Sequence, residues 1–396
     1  MKYIFLTNIV SPHQLPWCRE FVKLVGKTSF LYLAIEKMHS QRVDLGWGDD
    51  SENWIQVLEE NPESENLCQL FETCDVLFCT LRRFDLFQRR SKRGLKSFYL
   101  FERWFKPPVG MLRMLHPGYL SMCRQASKTF SLEQVCLMPI GIFAVQDIVR
   151  MLAVLQGKLQ YTLQPPVIKG FSRKPMAVID QNAYSGPAAM RLWGYFVEPS
   201  CGGNPTQPAA SSIPRILWCG RMLDWKRVDT LVKASVALLQ QGENLHLRLI
   251  GYGPEEARLR RLAGNWLTDN DTGVGISFHP PVEIGAIRGI MRQSDVYVLC
   301  SDGGEGWGAV VNEAMAEGCT VIGTHEAGSS ATMIEHGVNG WLFPAGDVKK
   351  LTECLLSEIQ RIQRGEPNLL GQAAAKTLSE VWSPAAAAQA LLQEIG

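Results

Sequence analysis

The stretch Ser301-Asp302-Gly303-Gly304-Glu305-Gly306-Trp307-Gly308-Ala309-Val310-Val311-Asn312-Glu313-Ala314-Met315-Ala316-Glu317-Gly318 decides how this chain folds. It follows the apolar run Asp295–Cys300, which reads as a buried strand. Four glycines fall within six positions and let the backbone approach a ligand closely. A helix is then expected from about Gly308. Its first N–H groups lack partners inside the helix, and its positive dipole end suits a phosphate. Glu305 and Glu313 have seven residues between them. On this reading Glu313 lies more than a turn into the helix, too deep to cap it, and points to solvent or to a polyol ligand.

Outward from this stretch, strand and helix signals alternate through the second half of the chain. Strands are expected at 215–219, 245–250, 275–278 and 320–323. Helices are expected at 227–241, 255–262 and 284–292. Short buried strands alternating with helices define βα units and a parallel sheet. Right-handed crossovers make it doubly wound and Rossmann-like. The first half has the same character, with strands at 2–7 and 76–79, weaker candidates at 135–140 and 175–179, and a helix near 15–25. Between the halves, 198–212 is rich in Gly, Pro and polar residues and reads as a linker. The expected fold class is therefore α/β, with two Rossmann-like doubly wound domains facing a central cleft.

Composition narrows the function. With 396 residues, 46% hydrophobic and 20% charged, the chain can bury two cores, which excludes a disordered or fibrous protein. A net charge of +1 argues against a dedicated nucleic-acid binder. The first 200 residues carry +6 and the remainder −5, so the halves are expected to have different partners. The eleven cysteines form no C-x-x-C pair. Cys68, Cys74 and Cys79 have no histidine at ligand spacing, so reduced thiols and no metal site are expected. No apolar run reaches the ~18–20 residues that span a bilayer. Thr7 and Asn8 interrupt the apolar N-terminus, which reads as a strand and not a leader. A cytoplasmic location is expected.

Here the sequence resembles the retaining glycosyltransferases of family four, which have the GT-B fold. Their signature is E-x-[FW]-G-x-x-x-x-E-A-x-A-x-G-x-x-V. Glu305, Trp307, Gly308, Glu313, Ala314, Ala316, Gly318 and Val321 stand in that register. Gly220-Arg221 with Lys226 and Asp229 matches the G-R-x-x-x-x-K-x-x-D pattern, and Gly251-Tyr252-Gly253-Pro254 the G-x-G-P turn. The resemblance covers about residues 213–350. It departs at Cys319-Thr320, where the family often has proline, a change of strand packing and not of chemistry.

The resemblance implies the following roles. Arg221 and Lys226 neutralise the diphosphate of a nucleotide-sugar donor as it leaves. Such a cation pair removes the need for a metal or other cofactor. Glu305 holds hydroxyls of the donor sugar, and Glu313 the ribose. The backbone at Trp307, Gly308, Ala309 and Val310 cradles sugar or phosphate, with Gly220, Gly251 and Gly253 shaping the donor site. Tyr252 and His279 lie where the base would be read. The implied domains are an acceptor domain at 1–197, a donor domain at 213–375 and a helix at 376–396 returning to the first domain. The implied reaction transfers a sugar to a sugar, lipid-linked or polysaccharide acceptor with retention. A nucleotide-sugar epimerase on the same fold and a non-catalytic nucleotide-sugar binding protein are the alternatives.

The first half resembles the family weakly. His13 and Gln14, in the loop after the first strand, and His116 are the acceptor-side candidates. Residues 81–113 hold ten Lys/Arg against Asp85 and Glu102, interleaved with Phe84, Phe87, Phe98, Tyr99, Phe101, Trp104 and Phe105. Such a stretch suits an anionic membrane surface or a lipid-diphosphate acceptor, so a peripheral position at the inner face of the plasma membrane is expected.

Overall fold

The computed structural model describes residues 1–38, 43, 52–58, 65–162, 172–179, 189–198, 213–269 and 273–396. The chain forms two compact units. One comprises Met1–Phe196 with Trp382–Gly396, the other Val197–Val381. Residues 199–212 of the expected linker lie outside the described residues.

The first unit is built on a seven-stranded parallel sheet. Its strands are β1 (Tyr3–Thr7), β2 (Phe30–Ala34), β3 (Ile55–Val57), β4 (Val76–Cys79), β5 (Lys96–Phe101), β6 (Val135–Pro139) and β7 (Ala189–Met190), in the order β3-β2-β1-β4-β5-β6-β7. β1 and β4 are buried at every position. A parallel sheet covered on both faces needs such unbroken apolar runs. Helix α1 (Leu15–Val25) has Pro16 in its first turn, where no intrahelical N–H is lost. It buries Leu15, Trp17, Cys18, Phe21 and Val22. Trp17 meets Phe5, Phe78 and Trp193 with ring centroids 5.3, 5.7 and 5.6 Å apart. The expected strand at 175–179 does not form. Val178 makes one isolated antiparallel bridge to Arg191, and β6 pairs instead with β7.

The next helices of this unit are α2 (Glu65–Thr73), α3 (Phe84–Ser91), α4 (Pro117–Phe130) and α5 (Ile142–Leu155). The seven aromatics of 84–105 are all buried. They belong to the core. The cations among them are largely engaged. Arg90 is fully buried and donates to the carbonyls of Phe71, Cys74 and Lys96. Arg89 and Arg93 pair with Glu72, and Lys106 with Glu102.

The second unit carries a six-stranded parallel sheet. Its strands are β8 (Arg215–Arg221), β9 (His246–Tyr252), β10 (Gly275–His279), β11 (Val296–Leu299), β12 (Thr320–Thr324) and β13 (Trp341–Phe343), in the order β10-β9-β8-β11-β12-β13. Helices α6 (Val228–Gln240), α7 (Glu256–Ala263), α8 (Ile284–Arg292), α9 (Val310–Ala316), α10 (Gly328–Met333), α11 (Val348–Gln363) and α12 (Leu369–Lys376) connect and follow them. Trp218, Leu231, Leu247, Val298, Ile322 and Phe343 share its core. Strand order reverses between β8 and β11. Open α/β sheets bind ligands at that switch point, outside the carboxyl ends of the strands.

The chain returns to the first unit at Trp382, not at 376. Trp382 donates to the Arg173 carbonyl at 3.0 Å, and its ring lies 6.2 Å from Phe196. Helix α13 (Pro384–Ile395) packs on α1. It is pinned by Arg191–Glu394 at 2.8 Å and by Lys96 donating to the Ile395 carbonyl at 2.6 Å.

Candidate functional site

The switch point of the second unit is built by two loops. The first leaves β8 at Gly220 and Arg221, which pair with Gly251 and Tyr252 of β9. A side chain at Gly251 would place Cβ 1.8 Å from the Gly220 oxygen, and one at Gly253 would meet the Met222 oxygen at 2.3 Å. The G-x-G spacing therefore lets β9 run close against β8 beyond its expected end. These glycines serve the strand pair directly. Arg221 is exposed at the carboxyl end of β8 and takes no carboxylate partner among the described residues.

After Arg221 the chain makes a short 3-10 turn, Asp224–Lys226. Arg227 then takes a left-handed conformation at φ 49° and starts α6. This turn aims the Lys226 ammonium at the second loop, where it contacts Glu305 Oε2 directly. Ser301 Oγ donates to the same oxygen at 3.0 Å. The Asp302 amide donates to the Trp225 carbonyl at 2.9 Å, tying the loops together. Glu305 is 8% exposed, so its charge rests on Lys226 and Ser301.

Beyond Glu305, Trp307 is buried with Nε1 donating to Asn312 Oδ1 at 2.8 Å. Gly308 adopts φ 86°, and a Cβ there would meet Leu299 at 3.1 Å and Ser329 Oγ at 3.2 Å. Its carbonyl accepts from Ser329 Oγ at 2.9 Å. This left-handed residue delays the helix, which begins at Val310 and not near Gly308. Glu313 is consequently in the first turn of α9, not more than a turn in, and is buried, so of its two expected orientations the one to solvent does not hold. The amides of Ala309 and Val310 stand at the helix start, where no carbonyl of the helix reaches them.

Burial raises the Glu313 carboxyl to about 7; Arg288 opposes the shift and Glu317 adds to it. Its charge also acts on Cys219 of β8 and on Tyr297 of β11, the two strands on either side of the switch point. Glu317, one residue beyond α9, is gripped by Arg288 at 2.6 Å and Arg292 at 2.8 Å, both from α8. Sequence reading missed Ser301, Arg288 and Glu317. A serine four residues before Glu305 was a usable signal. The Arg288–Glu317 contact joins separate elements and leaves no local pattern.

Of the donor-side candidates, Arg221, Lys226, Glu305 and Glu313 lie on the loops and helix that flank the switch point. The acceptor-side candidates belong to the first unit. Gln14 is buried, with Oε1 accepting from Trp17 Nε1 at 2.5 Å and Trp193 Nε1 at 3.5 Å. His13 lies 5.7 Å from the Tyr195 ring and its carbonyl accepts from the Phe196 amide. His116 is exposed at the start of α4, away from the loop that holds His13 and Gln14 in sequence.

Two doubly wound parallel-sheet units, with a Gly-rich loop at a switch point, define the GT-B class of α/β proteins. Residues 213–360 match the family described as Glycosyl transferases group 1. The chain is 35% identical over 162 residues to the amylovoran biosynthesis glycosyltransferase AmsK of Erwinia amylovora, covering 39% of this chain and 37% of that protein. It is 29% identical over 147 residues to the uncharacterized glycosyltransferase MJ1069 of Methanocaldococcus jannaschii, covering 37% of this chain and 36% of that protein. The chain thus spans little more than a third of the length of these curated relatives. In structure it resembles Anabaena Alr3699/HepE, solved in complex with UDP, with a TM-score of 0.65 at 14% identity over 100% of this chain and 99% of that one. Residues 213–360 of the second unit are thus similar to glycosyl transferases group 1, and the whole chain has the GT-B fold.

Proposed function

We propose that the protein is a retaining glycosyltransferase that moves a sugar from a nucleotide diphosphate to an acceptor hydroxyl in the synthesis of a polysaccharide or glycolipid. The observation that carries this reading is the Lys226–Glu305–Ser301 constellation beside the switch point, with Arg221 at the adjoining strand end. As the bond from the anomeric carbon to the diphosphate breaks, negative charge gathers on the leaving phosphate. Arg221 and Lys226 stabilise that charge. With two fixed cations in that role the transfer needs no metal. Glu305 has one oxygen committed to Lys226 and Ser301, and its other oxygen accepts from donor-sugar hydroxyls. Glu313 accepts from the ribose. The acceptor oxygen bonds to the anomeric carbon on the face that the phosphate leaves, and the phosphate takes the acceptor's proton. This preserves the anomeric configuration.

A thermal-shift screen against UDP, GDP, ADP and dTDP sugars, without metal and repeated with Arg221→Ala, tests the donor site. One nucleotide class should stabilise the protein, and the variant should lose that stabilisation. Product from the stabilising donor should carry the donor's anomeric configuration by NMR and form equally in chelator. An inverted product, or a strict need for a divalent ion, would overturn the mechanism.

A further inference from the structure

The structure of the first unit exposes an apolar ridge that the transfer reaction does not use. Residues Gly110–Leu115 form a 3-10 helix. With three residues per turn, positions three apart eclipse one another. Met111 and Met114 turn inward and are buried. Val109, Leu112 and Leu115 stand on the outer line and are 46%, 64% and 80% exposed. Leu115 is the most exposed large hydrophobic among the described residues. Pro107, Pro108 and Pro117 extend the ridge and are also exposed. Isolated surface leucines are ordinary, but a contiguous apolar ridge marks an interaction site.

The unpaired charge around the ridge is positive: Lys106 pairs with Glu102 at 3.2 Å and Arg103 with Asp147, which leaves Arg113, Arg124 and Lys128 without a carboxylate partner among the described residues. From Arg103 to Leu132 there is no Asp or Glu, against Arg103, Lys106, Arg113, Arg124 and Lys128. Asp147, which neutralises Arg103, is itself buried. On α4, which follows the ridge directly, Pro117, Ser121, Arg124 and Lys128 share one exposed stripe. A protruding apolar line flanked by cations is complementary to one surface above others. The hydrocarbon edge of a bilayer takes the apolar side chains, and anionic headgroups take the cations. Such binding needs both signals, because a few apolar side chains alone hold weakly. Each cation near an anionic surface adds roughly fivefold to the affinity.

We propose that the face formed by residues 106–128 docks the protein on an anionic phospholipid bilayer, with Val109, Leu112 and Leu115 entering the headgroup layer. This face overlaps the basic stretch 81–113 only at 106–113; the aromatics of 84–105 are core and take no part. It does not rest on the transferase reading, since docking needs neither donor nor acceptor.

Flotation of the full chain with vesicles tests it. The protein should float with phosphatidylcholine vesicles containing about 30% phosphatidylglycerol and remain behind with pure phosphatidylcholine. Raised salt should weaken the binding. Leu112→Ser with Leu115→Ser should lower the bound fraction at least about tenfold, with an unchanged melting temperature because both positions are exposed. Arg124→Ser with Lys128→Ser should reduce binding and flatten its salt dependence. Equal flotation with neutral and anionic vesicles, or undiminished flotation of the leucine variant, would overturn the proposal. So would a wild-type chain that floats with neither vesicle but self-associates in sedimentation velocity, with the leucine variant monomeric. The ridge would then join two copies of this chain.

Discussion

The ammonium of Lys226 and the carboxylate of Glu305, 79 residues apart in sequence, meet directly across the two loops beside the switch point. Each charge fixes the position of the other. Lys226 is 18% and Glu305 11% exposed at the side chain, so the pair is only partly screened by water. The cation assigned to the diphosphate and the carboxylate assigned to the sugar form one unit.

Breaking that unit should cost both stability and rate. Lys226→Met leaves Glu305 with Ser301 alone, and Glu305→Gln leaves Lys226 uncompensated. Each should destabilise the protein by about 1–3 kcal/mol in urea unfolding. Each should lower kcat by about a hundredfold or more. The double variant should lose clearly less than the sum, because its partners are in contact. Additive losses would show that the pair acts as two separate groups.

Arg221→Ala should behave differently. The side chain is exposed and carries no packing, so unfolding free energy should stay within about 0.5 kcal/mol of wild type. Stabilisation by a nucleotide sugar should nevertheless disappear. A variant that binds donor as tightly as wild type would remove Arg221 from the site.

Glu313 makes the site sensitive to pH. Burial raises its carboxyl to about 7, so below that pH it is protonated and would accept less well from the ribose hydroxyls proposed for it. Nucleotide affinity should fall as pH drops from 8 to 6, and Glu313→Gln should flatten the profile at a lower affinity. Stability runs the opposite way. A carboxyl raised from 4.5 in the unfolded chain to about 7 in the fold binds more protons when folded. Its contribution is complete below 4.5 and is lost as pH rises through about 7. Glu313→Gln should therefore narrow the stability difference between pH 5 and pH 8, by roughly 3 kcal/mol at most.

Gly251→Ala tests the strand pair. A Cβ 1.8 Å from the Gly220 oxygen cannot be accommodated unless β8 and β9 separate. The variant should lose about 3 kcal/mol or more, or fail to accumulate. Gly285→Ala, in helix α8 with no atom within 4 Å of the new Cβ, should gain up to about 1 kcal/mol.

How far the sequence could be read depended on whether the cause was local. Five of the six strands of the second unit were legible because each is a short, largely apolar run ended by glycine or a polar turn; β13, only three residues long, was not. Arg221, Lys226, Glu305 and Glu313 were legible from the family resemblance, at fixed spacings around those strands. The start of α9 was misread because Gly308 takes a left-handed conformation that side-chain pattern does not report. The grip of Arg288 and Arg292 on Glu317 was invisible because it depends on α8 lying beside α9. In the first unit, the interleaving of aromatics and cations over 81–113 did not show which of them are core. The burial of the aromatics follows from β5 being covered on both faces, a property of the sheet and not of the segment.

The return of the chain at Trp382 makes the first unit discontinuous. Its sheet is assembled from residues before 197, but α1 is covered by α13, the last helix described. During synthesis α13 emerges only after the second unit, so its packing on α1 is the last contact of the first unit to form. The second unit is one unbroken stretch and can fold as it emerges. The second unit can thus be complete before the first, and removal of residues 382–396 would strip α13 from α1 in the unit that is made first.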